Sequence, residues 1–252
     1  MFINPETALS PSRELILSGR RIRTILSLAG ERCDAWRSAP GDGLDALAIR
    51  VPATAGGAIG PVLRKARAAH PSLVQLAEID GQADPDTTDA LLSAITPARP
   101  DGLILTGVHH GKDLQRFDVQ LTVAEAAAGL EPGATTLIAM VGDNPDGLMD
   151  AASFAGRTPR LKAIGCDTTR LAEGLAVTTD AETQALPAAL TLGRGMSVLA
   201  AAKTGVAALE RIAPRLEGVA LENACRRATS DGFSVLLCEE PRQLPLIAGL
   251  YR

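Results

Sequence analysis

Aromatic residues are scarce in this 252-residue chain: one Trp, one Tyr and four Phe make 2% of it. A core built without them rests on Leu, Ile, Val and Ala, which suits a parallel sheet covered by Ala-rich helices. An excess of one charge sign is also missing. Lys and Arg number 25 against 29 Asp and Glu, a net charge of -4, and this excludes a general attraction to nucleic acid or to an anionic membrane. A compact basic patch for a phosphorylated ligand stays compatible with that balance. No apolar run reaches the roughly 18 residues that span a bilayer. The opening MFINPETALSPSRELILSGRRIR lacks a basic segment followed by an apolar stretch and a small-residue cleavage site, so a cytoplasmic protein is expected. Cys33, Cys166, Cys225 and Cys238 are scattered without CxxC or zinc-ligand spacing, and they read as buried, reduced thiols. Phosphate-loop, nucleophile-elbow and HExxH patterns are absent as well.

What is present is an alternation. Apolar, β-branched runs are followed by turn residues and then by Ala/Leu segments with helical spacing. The runs lie at 23–28, 46–51, 73–79, 102–108, 136–141, 161–165, 205–209 and 234–238. Eight strands alternating with helices predict a parallel sheet with its helices outside, and their number in about 230 residues favours closure into a (β/α)8 TIM-type barrel. One domain over 23–252 is expected, with residues 1–22 as a loosely attached leader.

In such a barrel, residues just beyond the strands face the active-site end. His109 and His110 follow the fourth strand, with Asp113 three residues on; they suit acid–base chemistry or metal binding, or else a solvated loop leading into a helix. Asp143 and Asp146 follow the fifth strand in VGDNPDGL, as magnesium ligands or as a turn and helix cap. Asp167, two residues beyond the sixth, carries the same two readings. Glu239 and Glu240 close the eighth strand, and on an extended segment only one of two neighbours faces the mouth. The Gly-rich TAGGAIGPVL of Thr54–Leu63 reads as a flexible loop, with phosphate cradling at a helix start as the alternative.

Several segments, in order, resemble the citrate lyase β-subunit-like family of acyl-CoA lyases and HpcH/HpaI aldolases. LSLAGERCDAW looks like that family's first strand and turn, and DGLILTGVHHGKDLQRFDVQLTVAEAAAGLEPGATTLIAMVGD like its fourth strand, long helix and fifth strand. LKAIGCDTTRLAEGL resembles the sixth-strand segment, LTLGRGMSVLAAAKTGVAAL the helix into the seventh strand, and DGFSVLLCEEPRQLP the closing segment. The resemblance spans roughly residues 22–245. It implies a C–C lyase or aldolase that acts on a CoA thioester or a 2-oxo or hydroxy acid through a metal-stabilised enolate, with Mg2+ held by a Glu after the fifth strand and an Asp after the sixth. Here the Glu falls on Gly142, with Asp143 beside it, and Asp167 is the carboxylate nearest the second position. The family's substrate-clamping Arg of strand three falls on Gln75, and its closing His on Glu240.

Arg32 and Arg194 survive as candidate anion binders. The resemblance therefore implies Asp143 and Asp167 for metal, Arg32, Gln75 and Arg194 for substrate, and His109 and Glu240 for proton transfer, in a homo-oligomer. The chain stops soon after the eighth strand, without the C-terminal lid of such lyases. With so many departures, a catalytically inactive barrel that binds a ligand or partner subunit is the alternative. A third reading is an unrelated α/β barrel that holds a sugar phosphate.

Overall fold

The computed structural model describes residues 13–33, 43–52, 54, 59–178 and 186–251. Residues 55–58 of the Gly-rich stretch and the side chain of Cys33 lie outside the described residues. The first described elements form a two-residue-turn hairpin, β1 (Leu15–Leu17) and β2 (Arg20–Ile22). Ser18 and Gly19 at its tip both take positive φ, as this tight turn requires. Eight parallel strands follow: β3 (Thr24–Ala29), β4 (Ala46–Arg50), β5 (Val74–Asp80), β6 (Gly102–Thr106), β7 (Thr136–Gly142), β8 (Leu161–Cys166), β9 (Ala207–Arg211) and β10 (Val235–Cys238). β10 pairs with both β3 and β9, which closes the barrel. The (β/α)8 expectation holds.

The helices are α1 (Gly30–Cys33), α2 (Ile59–Ala69), α3 (Pro85–Ile95), α4 (Gly111–Ala127), α5 (Pro145–Met149), α6 (Thr168–Gly174), α7 (Ala188–Thr204), α8 (Gly218–Asp231) and α9 (Leu244–Gly249). Local chemistry sets their starts. Asp84 accepts from the backbone N–H of Thr87 ahead of Pro85, and Asn144 accepts from Gly147 ahead of Pro145. At the far ends of α7 and α8, Gly205 and Gly232 stop the helix in the left-handed conformation.

Alternation along the strands divides the core in two. Ile25, Ala48, Leu76, Ile104, Leu209 and Leu237 fill the barrel, whereas Leu26, Ile49, Ala77, Leu105, Ala208 and Leu236 face the helices. Leu15, Leu17 and Ile22 of the hairpin are buried with the interior set. Within residues 1–22, expected as a loosely attached leader, the hairpin thus packs three side chains against the barrel interior. Cys166, Cys225 and Cys238 are buried free thiols, pushed up to about 12 by burial. Among the described residues no helix is long and apolar enough to cross a membrane.

Candidate functional site

The interior set, continued two residues at a time toward the C-terminal ends of the strands, predicts which side chains line the mouth. It reaches Ser27 on β3, Arg50 on β4, Glu78 on β5, Asp167 beyond β8, Arg211 on β9 and Glu239 beyond β10. β7 departs from this count. Ala139 pairs with Ile164 but Gly142 pairs with Cys166, so β7 spends one more residue than β8 over the same span. This bulge reverses the alternation. Met140 packs inside the barrel, Val141 packs outside, and Gly142 faces α7, where an added Cβ would stand 2.3 Å from the Ser197 Oγ. Asp143 therefore turns inward. It follows Gly142 as Asp167 follows Cys166, so the paired strands bring the two aspartates to the same level.

Both aspartates are buried, Asp143 to 4% exposure and Asp167 to 3%. Burial pushes both above the usual carboxylate range, against the pull of their donors. Asp143 accepts from the Gly107 backbone N–H at 2.7 Å and from the Asn144 amide at 2.7 Å, with Arg170 Nη1 3.6 Å away. Asp167 Oδ1 accepts from the backbone of Thr169 and Arg170 at the start of α6. Its Oδ2 lies 3.1 Å from the Nε of Arg211. Asp143 is thus both turned inward and freed from capping, a task that Asn144 performs, whereas Asp167 caps a helix and faces the mouth at once.

Arg211 is the centre of the layer. It is 5% exposed, and its Nη2 meets Glu78 Oε1 at 2.6 Å while its Nη1 meets Glu239 Oε1 at 2.5 Å. Ser27 donates to the other Glu78 oxygen, and Arg50 pairs with the other Glu239 oxygen at 2.7 Å. Burial disfavours the charge of Arg211, but Glu78, Asp167 and Glu239 outweigh it and raise its pKa. The same balance, burial against Arg211 and Arg50, leaves Glu239 below its ordinary value.

The remaining expected site residues fall elsewhere. Gln75 sits one residue out of phase with Val74 and Leu76, so it faces the helix layer, its amide 3.4 Å from the His70 carbonyl. Arg194 on α7 is buried between Glu210, Asp231 and the Phe233 ring, because Glu210 is the outward neighbour of Arg211. It ties helices to sheet and does not reach the mouth. Glu240 is out of phase with Glu239; it forms an exposed pair with Arg32 at 3.2 Å. His109 stands at the rim, 3.8 Å from Asp146. Asp113 accepts from the backbone of both His109 and His110, as a cap.

Mg2+ accepts one or two carboxylates and retains several waters. Among the described residues no three His, Cys, Asp or Glu side chains converge on one point. Asp143 and Asp167 on adjacent strands supply two. Four inward carboxylates, Glu78, Asp143, Asp167 and Glu239, face two inward guanidinium groups, Arg50 and Arg211. With Arg170 beside Asp143 at the rim, one negative charge is left over, and the two aspartates can supply the one or two carboxylates that a hydrated Mg2+ takes.

No protein-family model matches the chain, and a comparison with curated proteins finds no match. Solved structures do match. RipC from Yersinia pestis is 23% identical over 92% of this chain and 95% of its own, with a TM-score of 0.65. The citrate lyase beta subunit of Mycobacterium tuberculosis, complexed with oxaloacetate and magnesium, is 18% identical over 92% and 97%, with a TM-score of 0.65. A Haloferax volcanii malate synthase is 15% identical over 90% of this chain and 72% of its own, at 0.69. The chain shares the closed barrel fold of these proteins.

Proposed function

We propose that the protein is a divergent member of the citrate lyase β-subunit-like family, a C–C lyase or aldolase for a small acid or CoA thioester. The carrying observation is the bulge in β7, which turns Asp143 into the mouth beside Asp167. A bulge next to a site is a device for aiming one side chain, and here it would aim Asp143 toward Asp167, the carboxylate beyond the sixth barrel strand. Neighbours of the same fold are complexed with magnesium and oxaloacetate, or with magnesium, acetoacetate and coenzyme A.

Asp143 and Asp167 would hold Mg2+, whose charge stabilises negative charge developing on a substrate oxygen. The protein's own groups do the rest. Gly107 and Asn144 orient Asp143, the α6 amides orient Asp167, and burial of both keeps bulk water from competing for them. Arg170 and Arg32, both exposed at the rim, are cations for a substrate carboxylate or a phosphate, and His109 is the rim base. A cytoplasmic homo-oligomer is part of the same reading.

The test is a titration with Mg2+ and Mn2+ together with turnover of citryl-, malyl- and methylmalyl-CoA. One divalent ion per chain, lost in Asp143→Ala along with cleavage, is expected. A site that stays empty at millimolar metal would remove the proposal. That outcome would favour a second reading, an inactive barrel that binds a ligand or a partner subunit. The pairing of Arg50 and Arg211 with carboxylates speaks for it, since neither guanidinium on the inner face is left free to clamp a substrate.

A further inference from the structure

We infer that Arg211 is a tethered competitor for the divalent cation, holding the one Asp167 oxygen that a metal between Asp143 and Asp167 would take. The inference rests on the metal reading above and concerns what sets that site's affinity.

The geometry assigns each part. Asp167 has two oxygens, and Oδ1 is spent on the backbone N–H groups of Thr169 and Arg170. Only Oδ2 is turned toward the inner layer, and it lies against the Nε of Arg211. The guanidinium cannot drift away to make room. Its two other corners are held by Glu78 and Glu239, and those carboxylates are fixed in turn by Ser27 and Arg50. A planar, permanently charged group with three carboxylates around it is a stable arrangement.

The three contacts are unequal. The Nη groups make short hydrogen-bonded pairs at 2.6 and 2.5 Å, whereas Nε, 3.1 Å from Asp167, has no hydrogen-bond partner. The Asp167 contact is the one that can be given up. A metal entering there must take Oδ2 from Arg211 and then sit beside a fixed positive charge in a buried layer, where like charges repel strongly. Metal affinity is thereby weakened by a residue that is not a ligand. When Asp167 changes partner, Arg211 gives up its weakest contact and keeps its short pairs with Glu78 and Glu239.

Mn2+ binding, followed by electron paramagnetic resonance and by calorimetry, tests this on the wild type, Arg211→Gln, Arg211→Lys and the double variant Glu78→Gln/Arg211→Gln. The double variant removes one charge of each sign, so it keeps the net charge of the layer while freeing Oδ2. It also serves if Arg211→Gln alone, with carboxylates left uncompensated, does not fold; thermal unfolding reports this. Both Gln-bearing variants should bind Mn2+ about tenfold tighter than the wild type or better, and Arg211→Lys should stay close to the wild type. Equal binding by the wild type and the double variant overturns the inference and leaves the metal reading standing. Binding by the double variant alone sinks the metal reading for the wild type while Arg211 keeps its role. No binding by any of the four defeats both.

Discussion

Arg160 and Glu125 form a two-pronged ion pair inside the protein, with Nη1–Oε1 at 2.8 Å and Nη2–Oε2 at 2.7 Å. Glu125 lies on α4 and Arg160 just ahead of β8, so the pair fastens a helix to the sheet it covers. Its oxygens also accept from the backbone of Gly133 and Thr135, which orders the turn into β7. Removing one partner leaves the other charge buried alone, so Arg160→Met should cost about 3–5 kcal/mol in chemical denaturation. A loss well under 1 kcal/mol would mean that the pair is not closed in solution.

The same pair predicts a pH dependence. Burial works to raise the Glu125 carboxyl, but Arg160 and the two backbone donors outweigh it and hold the group below its ordinary value. The unfolded chain then binds the proton more readily than the folded one. The stabilisation is complete above the ordinary glutamate value of 4.5 and is lost as pH falls through the depressed one. Unfolding free energies of wild type and Glu125→Gln, measured from neutral to strongly acidic pH, should converge at the acid end. Parallel curves would contradict it.

Glu239 and Glu240 separate the inside of the mouth from its rim. Glu239 bridges Arg50 and Arg211 within the layer, and Glu240 makes an exposed pair with Arg32. Exposed pairs contribute below about 1 kcal/mol, so Glu240→Ala should leave unfolding nearly unchanged while Glu239→Ala lowers the melting temperature clearly. Equal effects would show that the count along β10 has been misassigned.

This neighbouring pair shows how far the sequence could be read. Alternation of apolar runs with Ala-rich segments located all eight barrel strands, because burial on both faces leaves a continuous apolar signal. The layer at the mouth was harder. Counting by twos from Val235 and Leu237 reaches Glu239, but matching the segment to a closing His-Pro pointed to Glu240. The seventh strand, read as 205–209, ends at Arg211, and those two residues hide the central cation. Asp143 was visible as a residue, yet its inward aim depends on a bulge that periodicity cannot reveal. Gln75 and Arg194 were placed by resemblance, and the strand phase turns both toward the helices.

Gly142 tests that bulge. An added Cβ would meet the Ser197 Oγ at 2.3 Å and the Cys166 Cα at 3.0 Å, and the second of these is backbone that cannot swing away. Gly142→Ala should therefore destabilise by about 1–3 kcal/mol through overpacking. Ser197→Ala introduced with it should recover part of that loss, giving a coupling between the two sites. Strict additivity would place the Gly142 face somewhere other than against α7.

An apolar face on the outer helices carries the last prediction. Leu192, Met196 and Leu199 recur at helical spacing on one side of α7, and Leu199 is 71% exposed. Met149 of α5, 81% exposed, lies with Met196 and Leu199 around a shallow cavity of about 260 Å3. Large side chains clustered in this way mark a contact surface more often than isolated ones do. A second copy of the chain is the occupant expected here. Light scattering coupled to size exclusion should give a whole multiple of the monomer mass for the wild type. The double variant Met149→Glu/Leu199→Glu should run as a monomer with an unchanged melting profile. If the wild type is itself monomeric, this face is not where copies meet. A variant that stays oligomeric would move the interface to another helix, with the exposed Val119 and Val123 of α4 the next to replace.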